Sequence, residues 1–172
     1  NEKTLRESSP FPAALAALFA KTWSADRLRE WLADPEFVAG DADWISPPAA
    51  VGRAAQSAEE AFEAVAALRQ QGYGWMVIKE ALSAAGQGTL RLTELELPPP
   101  QRRWLERAVA RGPVVVEPWL ERIVDFSVHG ERRARGLELR GYVGLWTDAR
   151  GQYLGNWVEP GARRHPPAAV MT

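Results

Sequence analysis

The sequence predicts an α+β protein, with helices packed on mainly antiparallel sheets in two small lobes. Three observations predict it. Residues 19–72 carry apolar positions at helical spacing. Residues 73–158 carry short apolar or alternating runs, with one helical stretch among them. Runs of strands after runs of helices point to an α+β arrangement rather than to alternating βαβ units. The 172 residues leave room for one sizeable domain or two small lobes.

The elements follow in order. Residues 1–18 form an N-terminal segment, polar at its start, with Ser9-Pro10 opening a short helix over Pro12–Ala20. Ser24 reads as the N-cap of a helix over Ala25–Ala33, and Asp34-Pro35 stops it. Residues 36–56 hold Gly40, Pro47, Pro48 and Gly52 and read as a loop, with one short strand near Asp43–Ile45. Ser57 with Glu60 is a capping box that opens a helix over Ala58–Gln71. Phe62, Val65, Ala66 and Arg69 follow its period, and Gly72 stands where a C′ glycine belongs. Residues 73–158 form the β-rich part. Strands are predicted at Trp75–Glu80 and Thr89–Leu92, with the loop Ala81–Gly88 between them. Three prolines lead into a helix over Gln101–Arg111. Val114–Trp119 is a continuous apolar run, as in a central strand. Ile123–His129 alternates, with Val124, Phe126 and Val128 on one face. Leu137–Trp146 and Gln152–Trp157 are strands joined through the turn Asp148–Gly151. Residues 159–172 read as a loose, proline-rich tail.

Composition narrows the function classes. The formal net charge is −1, so no global field draws the chain to nucleic acid or an anionic membrane. There is no cysteine, which removes disulfides, thiol nucleophiles and cysteine zinc sites. That fits a reducing compartment, and a cytoplasmic location is expected. No apolar run approaches the roughly 20 residues of a membrane span. His129 and His165 are the only histidines and lack a zinc-binding context. Arg132, Arg133 and Arg135 read as a solvated hairpin turn. The eight tryptophans read as large core and lobe-packing residues.

Chemistry concentrates in two stretches. In the first, Lys79 lies at the end of an apolar strand, just before a loop whose Gly86 and Gly88 allow close backbone approach to an anion. The lysine either contacts phosphate under that loop or runs along the strand end to water. Gly86-Gln-Gly88 is neither a P-loop nor a dinucleotide fingerprint. In the second stretch, Glu117 ends the strand Val114–Val116. It either accepts an adenine amino hydrogen, with backbone groups at Trp119 and Leu120 meeting the ring's other edge, or pairs with Arg122 or another arginine. Asp125 either accepts from the two hydroxyls of a ribose or faces solvent.

Taken in order, Lys21-Thr-Trp-Ser24, Lys79 with Ser83–Gly88, Val114–Leu120 and Asp125-Phe-Ser-Val128 resemble the ATP-grasp superfamily of ATP-dependent carboxylate–amine ligases, over roughly residues 21–157. The resemblance implies an ATP-grasp-like fold. It also implies that Lys21 and Lys79 contact nucleotide phosphates and that Ser83, Gly86 and Gly88 belong to the loop closing over them. Glu117 would read the adenine amino group, Leu120 would supply a backbone contact to the ring, and Asp125 would hold the ribose. ATP is the implied cofactor. In complete members ATP phosphorylates a carboxylate, and an amine or similar nucleophile displaces the phosphate. The family's Mg²⁺ ligands include an E-x-N pair, whereas after Trp157 this chain offers Glu159 alone. Mg²⁺ is therefore expected in the complete protein, with no ligand assigned in this chain. The expectation is the central portion of a ligase, inactive alone, with nucleotide as its ligand. Missing N- and C-terminal domains or a partner chain would complete it, and neither nucleic acid nor membrane is expected as a partner. The other reading is a non-catalytic interaction module on a degenerate version of the fold.

Overall fold

Ser57 starts the helix on which the first sheet is built. In the computed structural model, which describes residues 13–38, 46–84, 86–94, 97–149, 151–160 and 166, the elements run in this order: α1 (Ala13–Leu18), α2 (Lys21–Leu32), α3 (Pro35–Val38), β1 (Arg53–Ala55), α4 (Ala58–Gln70), β2 (Met76–Glu80), β3 (Thr89–Leu92), α5 (Pro99–Arg111), β4 (Val114–Pro118), β5 (Asp125–Arg133), β6 (Gly136–Thr147) and β7 (Tyr153–Trp157). Two units separate: Asn1–Ser83 with Gly88–Trp119, and Ala84–Gln87 with Leu120–Thr172. The change from helix to strand near residue 72 thus falls inside the first unit.

Ser57 Oγ accepts from the Glu60 N–H at 3.1 Å, and the Glu60 carboxylate reaches back to the Gln56 N–H at 2.7 Å. This caps α4 as a variant of the capping box. At the other end the Gly72 N–H donates to Arg69 O and the Tyr73 N–H to Leu68 O, a Schellman closure with glycine at φ +93°. The buried face of α4 is Ala61, Ala64, Val65 and Leu68. It lies one residue earlier than the period through Phe62 and Ala66, because alanines let the helix approach the sheet closely.

The first sheet has the order β1-β4-β2-β3, antiparallel throughout, with β4 and β2 central. One face carries Ala55, Met76, Ile78, Leu92, Val114 and Val116, which pack on α4 and on Leu105 and Ala108 of α5. The opposite face carries Val77 and Lys79 from β2 and Val115 and Glu117 from β4, since successive side chains alternate. The strand β1 was not anticipated. Three residues beside Gly52 carry no period, and only pairing with β4 makes them a strand. The predicted strand near Asp43–Ile45 lies outside the described residues.

Two helix starts are corrected. Helix α2 begins at Lys21, not Ala25. Ser24 sits within its first turn, its hydroxyl turned back to Ala20 O at 3.5 Å. The N-terminal turn is anchored from outside, by the Lys21 N–H donating to Ala81 O at 2.9 Å beyond β2. Helix α5 begins at Pro99, two residues early, because prolines in a first turn need no N–H partner.

In the second unit β5, β6 and β7 form an antiparallel meander. The turn before β7 closes through Gly151 N–H to Asp148 O and Gln152 N–H to Asp148 Oδ1. On one face Trp157 covers Gly144 and Trp146 lies over Gly155, each indole filling the space opposite a glycine. The alternation predicted for β5 does not become a buried face, and Val128 is 56% exposed. Arg133 and Arg140 pair with Glu131 and Glu138 across the β5–β6 hairpin.

The tryptophans are not core residues. Trp44 lies outside the described residues, and none of the others is buried. The first unit's core is a thin layer of Ala, Val, Leu, Ile and Met with no room for an indole, so Trp104 sits at its rim. Among the described residues no helix is long and apolar enough to cross a membrane.

Candidate functional site

The face of the first sheet opposite α4 and α5 brings charge onto an apolar floor. Val77 and Val115, at 1% and 0% exposure, are its base. Lys79 stands opposite Val115 in the register, and Glu117 opposite Val77. The two charged residues are therefore diagonal neighbours on one face, within reach of each other. Lys79 Nζ donates to Glu117 Oε2 at 2.8 Å, with both side chains about three-quarters buried. Glu117's partner is thus Lys79, not Arg122.

Gly52 borders this pair. A Cβ there would lie 2.4 Å from Val115 Cγ1 and 2.8 Å from Glu117 Cγ. Its backbone carbonyl accepts from Arg29 of α2. The sequence marked Gly52 only as a loop residue; its role follows from the sheet pairing.

Lys21 enters from the first turn of α2. Its ammonium donates to Ser83 Oγ at 3.0 Å, to Ser83 O, and to Glu80 O at 3.4 Å. These acceptors are all uncharged, and among the described residues Lys21 forms no ion pair. Partial burial holds its pKa below the ordinary lysine value of 10.5. The positive charge of Lys79 lowers it further, against smaller opposing effects of Glu117 and Glu80. Two cations from distant parts of the chain are thus brought within electrostatic reach of each other. Nearby, Glu80 pairs with Arg111.

The loop begins on the same carboxyl end of β2. Ser83 Oγ donates to Glu80 O at 3.1 Å, and the Glu80 N–H donates to Gly88 O at 2.8 Å. Gly88 has φ +60°, and a Cβ on it would sit 2.9 Å from Ser83 Cβ. Only glycine suits that position.

The structure thus brings Lys21, Lys79, Ser83, Gly88 and Glu117 together in the first unit. Gly86, Leu120 and Asp125 belong to the second unit and are described within it. Gly86, at φ +76°, lies against Gln152. Leu120 is 45% exposed. The Trp119 N–H is engaged by Trp75 O at 2.8 Å, so that donor continues the β2–β4 pairing instead of facing outward. Asp125 is partly buried: its Oδ2 accepts from Thr147 Oγ1 at 2.6 Å and from Arg122 Nη1 at 3.0 Å. These residues border an open groove of about 430 Å³ with Trp146 and Trp157. His129 Nε2 lies 3.0 Å from Ser127 Oγ.

A nucleotide's phosphates fit the cation pair, because anionic oxygens would replace neutral acceptors at Lys21 and quench its repulsion with Lys79. A divalent metal does not fit in the same way. Among the described residues no group of three acidic or histidine side chains could hold one, so no step is assigned to a metal.

The elements define an α+β protein of helices and antiparallel sheets, with paired lysines and a glutamate on one sheet face. No family model matches the chain, and neither does any curated protein. The chain is similar to several solved structures, two of which follow. One is N5-carboxyaminoimidazole ribonucleotide synthetase in its ADP complex, with TM-score 0.49 and 16% identity, over 77% of this chain and 30% of that one. The other is D-alanyl-alanine synthetase A from Vibrio cholerae, with TM-score 0.49 and 13% identity, over 77% of this chain and 36% of that one. The chain spans about a third of the length of each.

Proposed function

We propose that this chain is an ATP-grasp-like nucleotide-binding domain. The observation that carries the reading is that Lys21, from α2, reaches Ser83 and Glu80 O at the end of β2, the strand that carries Lys79, beside a glycine-bearing loop. Glu117 answers Lys79 with a carboxylate, whereas Lys21 has only neutral acceptors, so an anion beside Lys21 would be favourable. In this reading Lys21 and Lys79 bind phosphate oxygens, and Ser83 to Gly88 lie over them. Glu117 accepts from the adenine amino group. Leu120 and Asp125 enter through the sequence resemblance, as the ring and ribose contacts. When bound, ATP would supply the phosphoryl group that activates a carboxylate. Mg²⁺ chemistry and ligase turnover are proposed only for a protein that joins this chain to metal- and acceptor-binding parts. Alone, the chain is expected to bind ADP or ATP weakly and to turn nothing over.

Calorimetry with ADP and with ATP tests this. The expected result is binding that the Lys79→Ala, Asp125→Ala double variant weakens at least about tenfold, roughly 1.4 kcal/mol. Equal heats from the double variant and the parent would sink the reading.

A second reading, an interaction module on the same fold, draws on the exposed apolar side chains of the second unit. Ile123 is 90% exposed, Leu154 68% and Trp146 60%. It predicts self-association or ligand-independent partner binding, measured by sedimentation. An ideal monomer at high concentration, with nucleotide binding intact, would exclude the self-association arm.

A further inference from the structure

The Lys79–Glu117 pair has a consequence for what the face can bind. Each member is the other's only hydrogen-bond and ion-pair partner among the described residues. A polyphosphate approaching Lys79 must therefore displace a carboxylate already in place. That displacement takes from Glu117 its only direct ion-pair partner among the described residues and leaves it on an apolar base with only the more remote charge of Lys21. An unpartnered, mostly buried carboxylate is costly. A ligand that brings only phosphate pays this penalty in full. A ligand that also brings an N–H donor beside its phosphates can satisfy both groups at once.

We propose that Glu117 is a specificity-determining residue: it competes with inorganic polyphosphates for Lys79 and releases the lysine when a base amino group occupies the carboxylate. The inference rests on the nucleotide reading above and adds a selectivity rule to it. Gly52 leaves room for Glu117 beside Val115, because a Cβ there would lie 2.8 Å from the Glu117 Cγ. Lys21 does not share the constraint, since its acceptors are neutral oxygens that an anion can replace without stranding a charge.

The test compares ADP with inorganic tripolyphosphate by calorimetry on the full chain, in the parent and in Glu117→Gln. Glutamine keeps a carbonyl acceptor for an amino group but loses the charge that holds Lys79. Tripolyphosphate is expected to bind Glu117→Gln roughly three- to fivefold more tightly than the parent, the upper range for a partly exposed ion pair. ADP affinity should change by less than about threefold, so the preference for ADP falls. Glu106→Gln, the same charge change on an exposed position of α5, should leave both affinities within about twofold, since solvent charges are screened. Circular dichroism melts confirm that each variant is folded. Unchanged or weaker tripolyphosphate binding in folded Glu117→Gln would overturn the inference. If ADP binding to the parent is lost in Lys79→Ala, measured alongside, the nucleotide reading survives that result. If neither ligand binds the parent or any variant, both fall.

Discussion

Replacing Gly52 by alanine should destabilise the protein through one identifiable clash. The added Cβ would lie 2.4 Å from Val115 Cγ1 and 2.8 Å from Glu117 Cγ, against ordinary contacts of 3.4–4 Å. An overlap of that depth must be relieved by movement. Glu117 can swing, but Val115 cannot. It is β-branched, fully buried, and its strand is paired on both sides, with β1 and with β2. Overpacking of this kind costs about 1–3 kcal/mol. For a chain of this length that is a fall in Tm of roughly 2–4 °C per kcal/mol. Urea unfolding followed by circular dichroism measures the loss, and a cycle with Val115→Ala assigns it. Without Cγ1 the clash is gone, so Gly52→Ala in the Val115→Ala background should cost less than about 1 kcal/mol. A loss below about 0.5 kcal/mol, or the same loss in both backgrounds, would refute the argument that Gly52 is held by close packing on the sheet.

Two further outcomes are expected. Lys21 should titrate below the ordinary lysine value of 10.5, chiefly through burial and then through Lys79, and bound ADP should raise it. A lysine so shifted holds fewer protons folded than unfolded, so its contribution to stability rises with pH from its folded-state pKa to 10.5. Carbon-detected NMR of the Lys21 Cε, assigned through Lys21→Arg, reads the shift, and titration at or above 10.5 would contradict it. In the second unit, Gly144→Ala would set a Cβ 2.0 Å from Trp157 Cε2 and lift the indole off β6. The expected cost is about 1–3 kcal/mol with a changed near-ultraviolet dichroism signal, and an unaltered spectrum would show that the ring is not seated there.

Local chemistry was legible where it is self-contained. The α4 cap and its glycine stop involve residues three to five apart, so Ser57, Glu60 and Gly72 announced them. The central strand Val114–Val116 was visible because burial on both faces leaves an unbroken apolar run. Helix α2 was mistimed because its first N–H is satisfied by Ala81, a residue about sixty positions away. The β5 alternation put Val124, Phe126 and Val128 on one face but could not say what covers it, because pattern records polarity alone. Among the candidate residues, Lys79 and Glu117 were each legible as possible site groups, but their union was not. It depends on a register that sets Val77 opposite Glu117.

By itself, the sequence determined the α+β class, most of the elements, and the charged and glycine residues of the candidate site. Propensity, capping and hydrophobic period act within one turn or one strand, and they are written in neighbouring residues. Only the tertiary structure decided that Lys21 comes close to Lys79, that Glu117 answers Lys79 and not Arg122, and that Gly52 must be small. Those outcomes turn on distances between segments far apart in the chain. Charge repulsion, ion pairing and steric overlap all depend steeply on such distances.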